Sequence, residues 1–140
     1  MHTIFLALGT NLGDRLANIE NAIKSLKEKG VVIEIVSSII ESAPDGGPHQ
    51  DDYLNAVLKG NVSISPKQLL DTVKQIEKEM GRKKTVINGP RIIDIDILLY
   101  DKISLNTKDL IIPHPRMRQR NFVISPLIEI EPALKEIKPL

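Results

Sequence analysis

The spacing of apolar positions switches along the chain between the period of a strand and that of a helix. Thr3 to Leu8 is a short apolar run rich in strand formers, and it stops at Gly9-Thr10-Asn11-Leu12-Gly13, whose glycines and asparagine mark a turn. Asp14 is placed to cap a helix in which Leu16, Ile19, Ile23 and Leu26 recur at spacings of three and four, with Gly30 as its stop. Val31 to Ile40 is β-branched and predicts one strand. Ser42 to Asp52 has no apolar period and is rich in Gly, Pro and Asp, so it predicts a loop. Tyr53 to Ser63 returns to strand character, with Tyr53, Asn55 and Val57 on one face and Leu54, Ala56 and Leu58 on the other. A hairpin pairing with 31–40 follows, across a loop long enough to be functional.

Ser65-Pro66-Lys67-Gln68 is a strong helix start, because serine caps, proline suits the first turn and glutamine closes a capping box. Leu69, Leu70, Val73, Ile76 and Met80 give this helix its apolar stripe, and Gly81 ends it. Arg82 to Pro90 reads as a polar, mobile loop. Ile92 to Tyr100 is the strongest strand, its alternation assigning Ile93, Ile95, Ile97 and Leu99 to the core and Asp94 and Asp96 to the other side. Residues 111–120 read as a short helical piece, and Phe122 to Ile130 as a last packed segment. The order β-α-β-β-α-β plus a C-terminal extension predicts an α/β ferredoxin-like sandwich of two or three layers on a mostly antiparallel four-stranded sheet. With 140 residues, the expectation is one domain over 1–140.

Composition narrows the partners. Nineteen basic and eighteen acidic side chains nearly cancel, so no global charge calls for nucleic acid or an anionic membrane. Aromatic residues make up 3% of the chain, too few for an RNA-stacking platform. No apolar run has the length of a membrane span, and the absence of cysteine excludes thiolate chemistry and fits a cytoplasmic protein. A monomer or weak homo-oligomer is expected.

Locally the charge is uneven. Asp94 and Asp96 share one face of a strand with Cα atoms about 6.6 Å apart at ~3.3 Å rise per residue, near enough for both to touch one magnesium ion or to bridge two. The alternative is a solvated strand face, or carboxylates paired with Arg91 and a second arginine. Arg82, Lys83, Lys84 and Arg91 flank this pair, and Arg116, Arg118 and Arg120 follow it. Arginine forks fit phosphate oxygens, so a basic rim around an acidic centre suits a phosphate-rich ligand held through a metal. On a helix the i, i+2 spacing of Arg116, Arg118 and Arg120 lets only one or two reach a common ligand. His114, held between Pro113 and Pro115, serves either a phosphate or ribose oxygen or a structural hydrogen bond. Asn55, polar in an apolar strand, bonds either the backbone or a ligand. Tyr53 and Phe122 are two of four aromatic residues and are candidates to stack on a planar heterocycle. Gly9–Gly13 lacks the lysine and spacing of a P-loop.

In combination, GTNLGDR, YLNAV at 53–57, GRK at 81–83, GPRIIDIDILLY at 89–100 and IPHPRMRQRNFVISPL at 112–127 closely resemble the 6-hydroxymethyl-7,8-dihydropterin pyrophosphokinases of folate biosynthesis. The resemblance runs from Ala7 to about Pro132. It implies the ferredoxin-like fold and transfer of pyrophosphate from ATP to the pterin hydroxymethyl group, with AMP as the other product. It implies two Mg2+ ions on Asp94 and Asp96, with Arg82 and Arg91 serving phosphate or catalysis. Glu77, Lys84, Ile97, His114, Arg116 and Arg120 would lie around the nucleotide. The pterin would rest between Tyr53 and Phe122, with Asn55 and the Ser42-Ala43-Pro44-Asp45 segment on its ring edge, and Asn11 would hold the loops. Asn88 stands where the family usually has tryptophan, and Asp45 is an acid in the pterin loop.

Overall fold

The computed structural model describes residues 1–44, 46–82 and 89–136. Strand β1 (His2–Thr10) leads into helix α1 (Arg15–Glu28), then β2 (Val32–Val36), β3 (Ile40–Ser42), β4 (Tyr53–Val62), α2 (Pro66–Glu79) and β5 (Asp94–Tyr100). A small ladder of β6 (Leu105–Asn106) and β7 (Ile111–Ile112) follows, then a 3-10 turn at Met117–Gln119, helix α3 (Asn121–Ile130) and a second 3-10 segment (Pro132–Glu136). The main sheet has the order β2-β4-β1-β5 with β3 also on β4, and every pairing is antiparallel. That is the expected ferredoxin-like arrangement.

Both main helices begin where side chains replace the missing backbone acceptors. Asp14 accepts from the Ala17 N–H at 3.1 Å. Ser65 and Gln68 form the complete capping box, with bonds of 3.2 and 2.9 Å. Their apolar stripes cover one face of the sheet, where Ile19 and Leu26 of α1 and Leu69, Val73 and Ile76 of α2 meet Leu6, Leu8, Ile93, Ile95 and Ile97. Helix α3 covers part of the opposite face, packing Val123, Leu127 and Ile130 on Phe5, Ala7, Val57, Leu98 and Leu99. The molecule therefore has three layers.

Three expectations shift. The strand predicted over 31–40 is two strands, because Ser37 breaks the ladder: its hydroxyl accepts the Val57 N–H at 2.9 Å while its own N–H reaches the Val57 carbonyl at 2.8 Å. Leu99 does not share a face with Ile93, Ile95 and Ile97. A bulge against β1 between Phe5 and Leu6 puts an extra residue into β5, so Leu98 and Leu99 both join the α3 side and Tyr100 returns to the α1–α2 side. The helical piece expected over 111–120 is only the 3-10 turn at Met117–Gln119, after β7, and the packed segment expected from Phe122 to Ile130 is the helix α3, whose internal Pro126 hides it from a reading by helix propensity.

The register sets out the functional half of the α3 face. Asp94, Gly9 and Asn55 form one row across β5, β1 and β4; Asp96, Ala7 and Val57 form the next. Residues directly opposite in paired strands project to the same face. Helix α3 is pinned over this sheet from its far end. The Glu129 carboxylate accepts from the Ser38 N–H at 2.9 Å and its hydroxyl at 3.0 Å, and Lys59 Nζ lies 2.7 Å from Glu131. Replacing Ser65 with alanine removes half the capping box far from this face. Urea unfolding of that variant is expected to lose about 1 kcal/mol, with no change in ligand binding.

Candidate active site

Where α3 leaves the sheet uncovered, a cavity of about 190 Å³ opens. Gly9 and Ala7 of β1 form its floor, with Tyr53 and Asn55 of β4 to one side and Asp94 and Asp96 of β5 to the other. Phe122 and Val123, in the first turn of α3, with Arg120 just before it, make a wall. Ser42, Ala43, Arg82, Gly89 and Arg91, together with Leu8 and Ala56, complete the lining.

Each charged group has a physical tether. Arg82 follows α2, and its Nη1 lies 2.8 Å from Glu77 and 3.3 Å from Asp94. Glu77 is buried at the end of α2 and with its other oxygen accepts from the Ile95 N–H at 2.9 Å. It thus grips both the arginine and the backbone between the two aspartates. Burial, more than any neighbouring charge, raises the Glu77 carboxyl, and the Ile95 N–H and Arg82 pull it back. Asp96 is pushed up to about 7, first by burial and then by the Asp94 charge, with Arg120 and Arg82 offsetting part of this. The pair is short of positive charge. Tyr53 is also raised, by burial and then by Asp94, and so carries its proton at neutral pH.

Among the described residues no group of three or more His, Cys, Asp or Glu could close around a metal. Two carboxylates alone still fit magnesium, which takes oxygen ligands, keeps water and shares its remaining positions with substrate phosphates. Arg91 is held by the turn after β1. Its N–H donates to Asn11 Oδ1 at 2.8 Å, its carbonyl accepts from the Asn11 N–H at 3.0 Å, and its Nη1 reaches the Gly89 carbonyl at 3.0 Å. Asn11 also donates to Gln50 Oε1 at 2.8 Å and to the Asp51 carbonyl at 2.9 Å.

On the other side Asn55 donates to Ser42 Oγ at 2.8 Å and to the Ile40 carbonyl at 3.3 Å. That fixes the amide with its Oδ1 turned toward the space over Gly9. The guanidinium of Arg120 stands 5.6 Å from the centre of the Phe122 ring.

Of the residues singled out from the sequence, Ser42, Ala43, Tyr53, Asn55, Arg82, Arg91, Asp94, Asp96, Arg120 and Phe122 meet on this one cavity. Glu77, Ile97, His114, Arg116 and Pro44 do not line it. Glu77 stands behind Arg82, and Ile97 is buried in the α1–α2 core. His114 and Arg116 lie together beside the β5 edge: the His114 N–H bonds the Leu98 carbonyl at 2.9 Å, and its ring Nδ1 faces the Arg116 N–H at 3.3 Å. Burial, then Arg120, lowers the His114 imidazole, which keeps it neutral at pH 7 with Nε2 as its N–H donor. Pro44 is half-buried in the segment after β3. Lys84, Asp45 and Asn88 lie outside the described residues. Ala7, Gly9 and Val123 were missed in the sequence, although the alternation of β1 already puts Ala7 and Gly9 opposite Leu6 and Leu8.

The family model for 7,8-dihydro-6-hydroxymethylpterin-pyrophosphokinase (HPPK) matches residues 5–132. The chain is 45% identical to the 2-amino-4-hydroxy-6-hydroxymethyldihydropteridine pyrophosphokinase of Aquifex aeolicus, over 99% of this chain and 92% of that one. It is 42% identical to the protein of the same description from Bacillus subtilis, over 90% of this chain and 76% of that one. With a folic acid synthesis protein of Dictyostelium discoideum it shares 46% identity over 92% of its length but only 20% of that longer chain. A solved HPPK-DHPS structure in complex with substrates superposes with a TM-score of 0.70 over 94% of this chain and 40% of the other, at 18% identity, which speaks for the fold. The chain belongs to the HPPK family, the 7,8-dihydro-6-hydroxymethylpterin pyrophosphokinases.

Proposed function

We propose that residues 1–140 form a single pyrophosphokinase domain that transfers pyrophosphate from ATP to the hydroxymethyl group of 6-hydroxymethyl-7,8-dihydropterin in folate biosynthesis, in the cytoplasm. One observation carries the reading. A single cavity holds a pair of adjacent carboxylates, three arginines, and an aromatic and amide set of the right size and polarity for a flat heterocycle. Family membership supplies the reaction that such a set serves.

Tyr53 and Phe122 take the pterin ring between them, and Asn55 Oδ1 accepts from its N–H edge. The hydroxymethyl arm then extends across Gly9 toward the acids. Its oxygen attacks the β-phosphorus of ATP in line with the bridging oxygen to the α-phosphate. That bridge breaks, AMP leaves, and the hydroxyl proton passes to water. Arg82 and Arg91 hold the transferred oxygens and offset charge that builds on them. Glu77 keeps Arg82 over the acids. Asp94 and Asp96 would hold two Mg2+, which would supply neutralisation of the phosphate charge. Arg116, Arg120 and His114 receive the nucleotide at the β5 edge, where a neutral imidazole offers its Nε2–H to an oxygen. Ile97 is on that strand with its side chain in the core beneath, Lys84 serves the nucleotide, and Pro44 and Asp45 serve the pterin. Helices long and apolar enough to cross a membrane are absent among the described residues.

Incubation with ATP, magnesium and the pterin, followed by separation of nucleotides, tests this directly. AMP should form in the parent and fall by about a thousandfold or more in Asp96→Ala or on chelation. ADP in place of AMP would move the attack to the γ-phosphorus, and no pterin-dependent turnover would end the reading. A second expectation concerns the ligand-free protein. With its folded pKa above the unfolded value, Asp96 costs nothing below about pH 4; the cost grows as pH rises toward 7 and is constant beyond. Asp96→Asn should therefore gain on the order of 4 kcal/mol in denaturant unfolding at pH 8 and nothing at pH 4. Equal gains at both pH values would contradict the origin given for the shift.

A further inference from the structure

Gly9 sits in the central strand β1, where neither backbone nor packing asks for glycine. Gly13, Gly30, Gly46, Gly47 and Gly81 have positive φ, a region that side chains disfavour. Gly60 is pressed against the edge strand, where a Cβ would meet the Val32 carbonyl at 3.0 Å and Val31 Cγ1 at 3.2 Å. Gly9 shares neither reason. Its φ lies outside the positive region, and a Cβ on it would stand 3.5 Å from Asn55 Oδ1 and 3.5 Å from Tyr53 Cδ1, both ordinary contacts. A methyl there fits the protein. In a strand interior it would also remove the entropic disadvantage of glycine.

What the methyl does not fit is the cavity. Gly9 pairs with Asn55 on one side and Asp94 on the other, so a Cβ would project from the floor between the amide and the acid. Two strand spacings, about 9.6 Å at ~4.8 Å each, separate those flanking residues. The gap over Gly9 is the direct path from the ring clamp to the carboxylates. We propose that Gly9 is a specificity-determining residue for the pterin: its missing side chain forms the channel through which the hydroxymethyl arm reaches the phosphate site. This rests on the function proposed above. The channel admits a flat ring with a single-carbon arm in the sheet-side position, and its depth is set by bare backbone.

The test is Gly9→Ala, measured in three ways. The KM for the dihydropterin should rise by roughly tenfold or more, the scale of one methyl group in a close-fitting apolar contact. The Tm should be equal to or above that of the parent, as expected where alanine adopts the native backbone. Affinity for the magnesium–nucleotide complex, read by titration without pterin, should stay within roughly twofold, because the added methyl faces the ring side of the acids. An unchanged pterin KM would overturn the assignment. So would a fall in Tm together with loss of nucleotide binding, which would make Gly9 a folding residue. Failure of the underlying reaction shows separately, as absence of AMP in the parent.

Discussion

Two carboxylates side by side on a half-covered strand face repel each other, and the surroundings of the site are organised around that repulsion. Asp96 has the weaker compensation and holds its proton up to about pH 7. Asp94 has Arg82 within 3.3 Å. Glu77, buried on the other side of Arg82, anchors the same guanidinium and the β5 backbone, so the arginine's position follows from the strand that carries the acids. Divalent cations on these acids would release Arg82 from its role as a counter-charge while Glu77 keeps it nearby. The ligand-free site is thus short of positive charge around two adjacent carboxylates, which is the setting the proposed cation and phosphate would satisfy together.

The unequal covering of the sheet makes room for this chemistry. Helices α1 and α2 close one face with a continuous aliphatic layer, which makes β1, β4 and β5 a rigid base. The single helix on the other face packs only over its far half, and its first turn ends as a cavity wall at Phe122 and Val123. Because Pro126 carries no N–H, this short helix depends on tertiary pins, Glu129 to Ser38 and Lys59 to Glu131. The aromatic wall is therefore placed by residues remote from it in sequence.

Much of this was legible beforehand. The two-residue period of β4 and β5, the capping box at Ser65 and the glycine stops all state local geometry in local sequence, and local rules sufficed for the element order and the face carrying Asp94 and Asp96. The paired blocks around 89–100 and 112–127 identified the chemistry. Three things were not legible because their causes are nonlocal. The β5 bulge that turns Leu99 arises from its register against β1. The break at Ser37 comes from a hydroxyl that reaches β4. The inward turn of Glu77 toward Arg82 and Ile95 is set by how α2 lies on the sheet. Gly9 was visible only as part of a turn; its place between Asn55 and Asp94 appears once the strands are paired.

Asn11 has a bearing on how substrates enter. Its one amide ties the segment ending at Gln50 and Asp51 to the backbone of Arg91, so both rims of the cavity share a common latch. Neither rim can swing far without breaking bonds that also hold the other. The placement of Arg91 and that of the opposite rim are thereby mechanically linked, so a displacement at one entrance is felt at the opposite doorway.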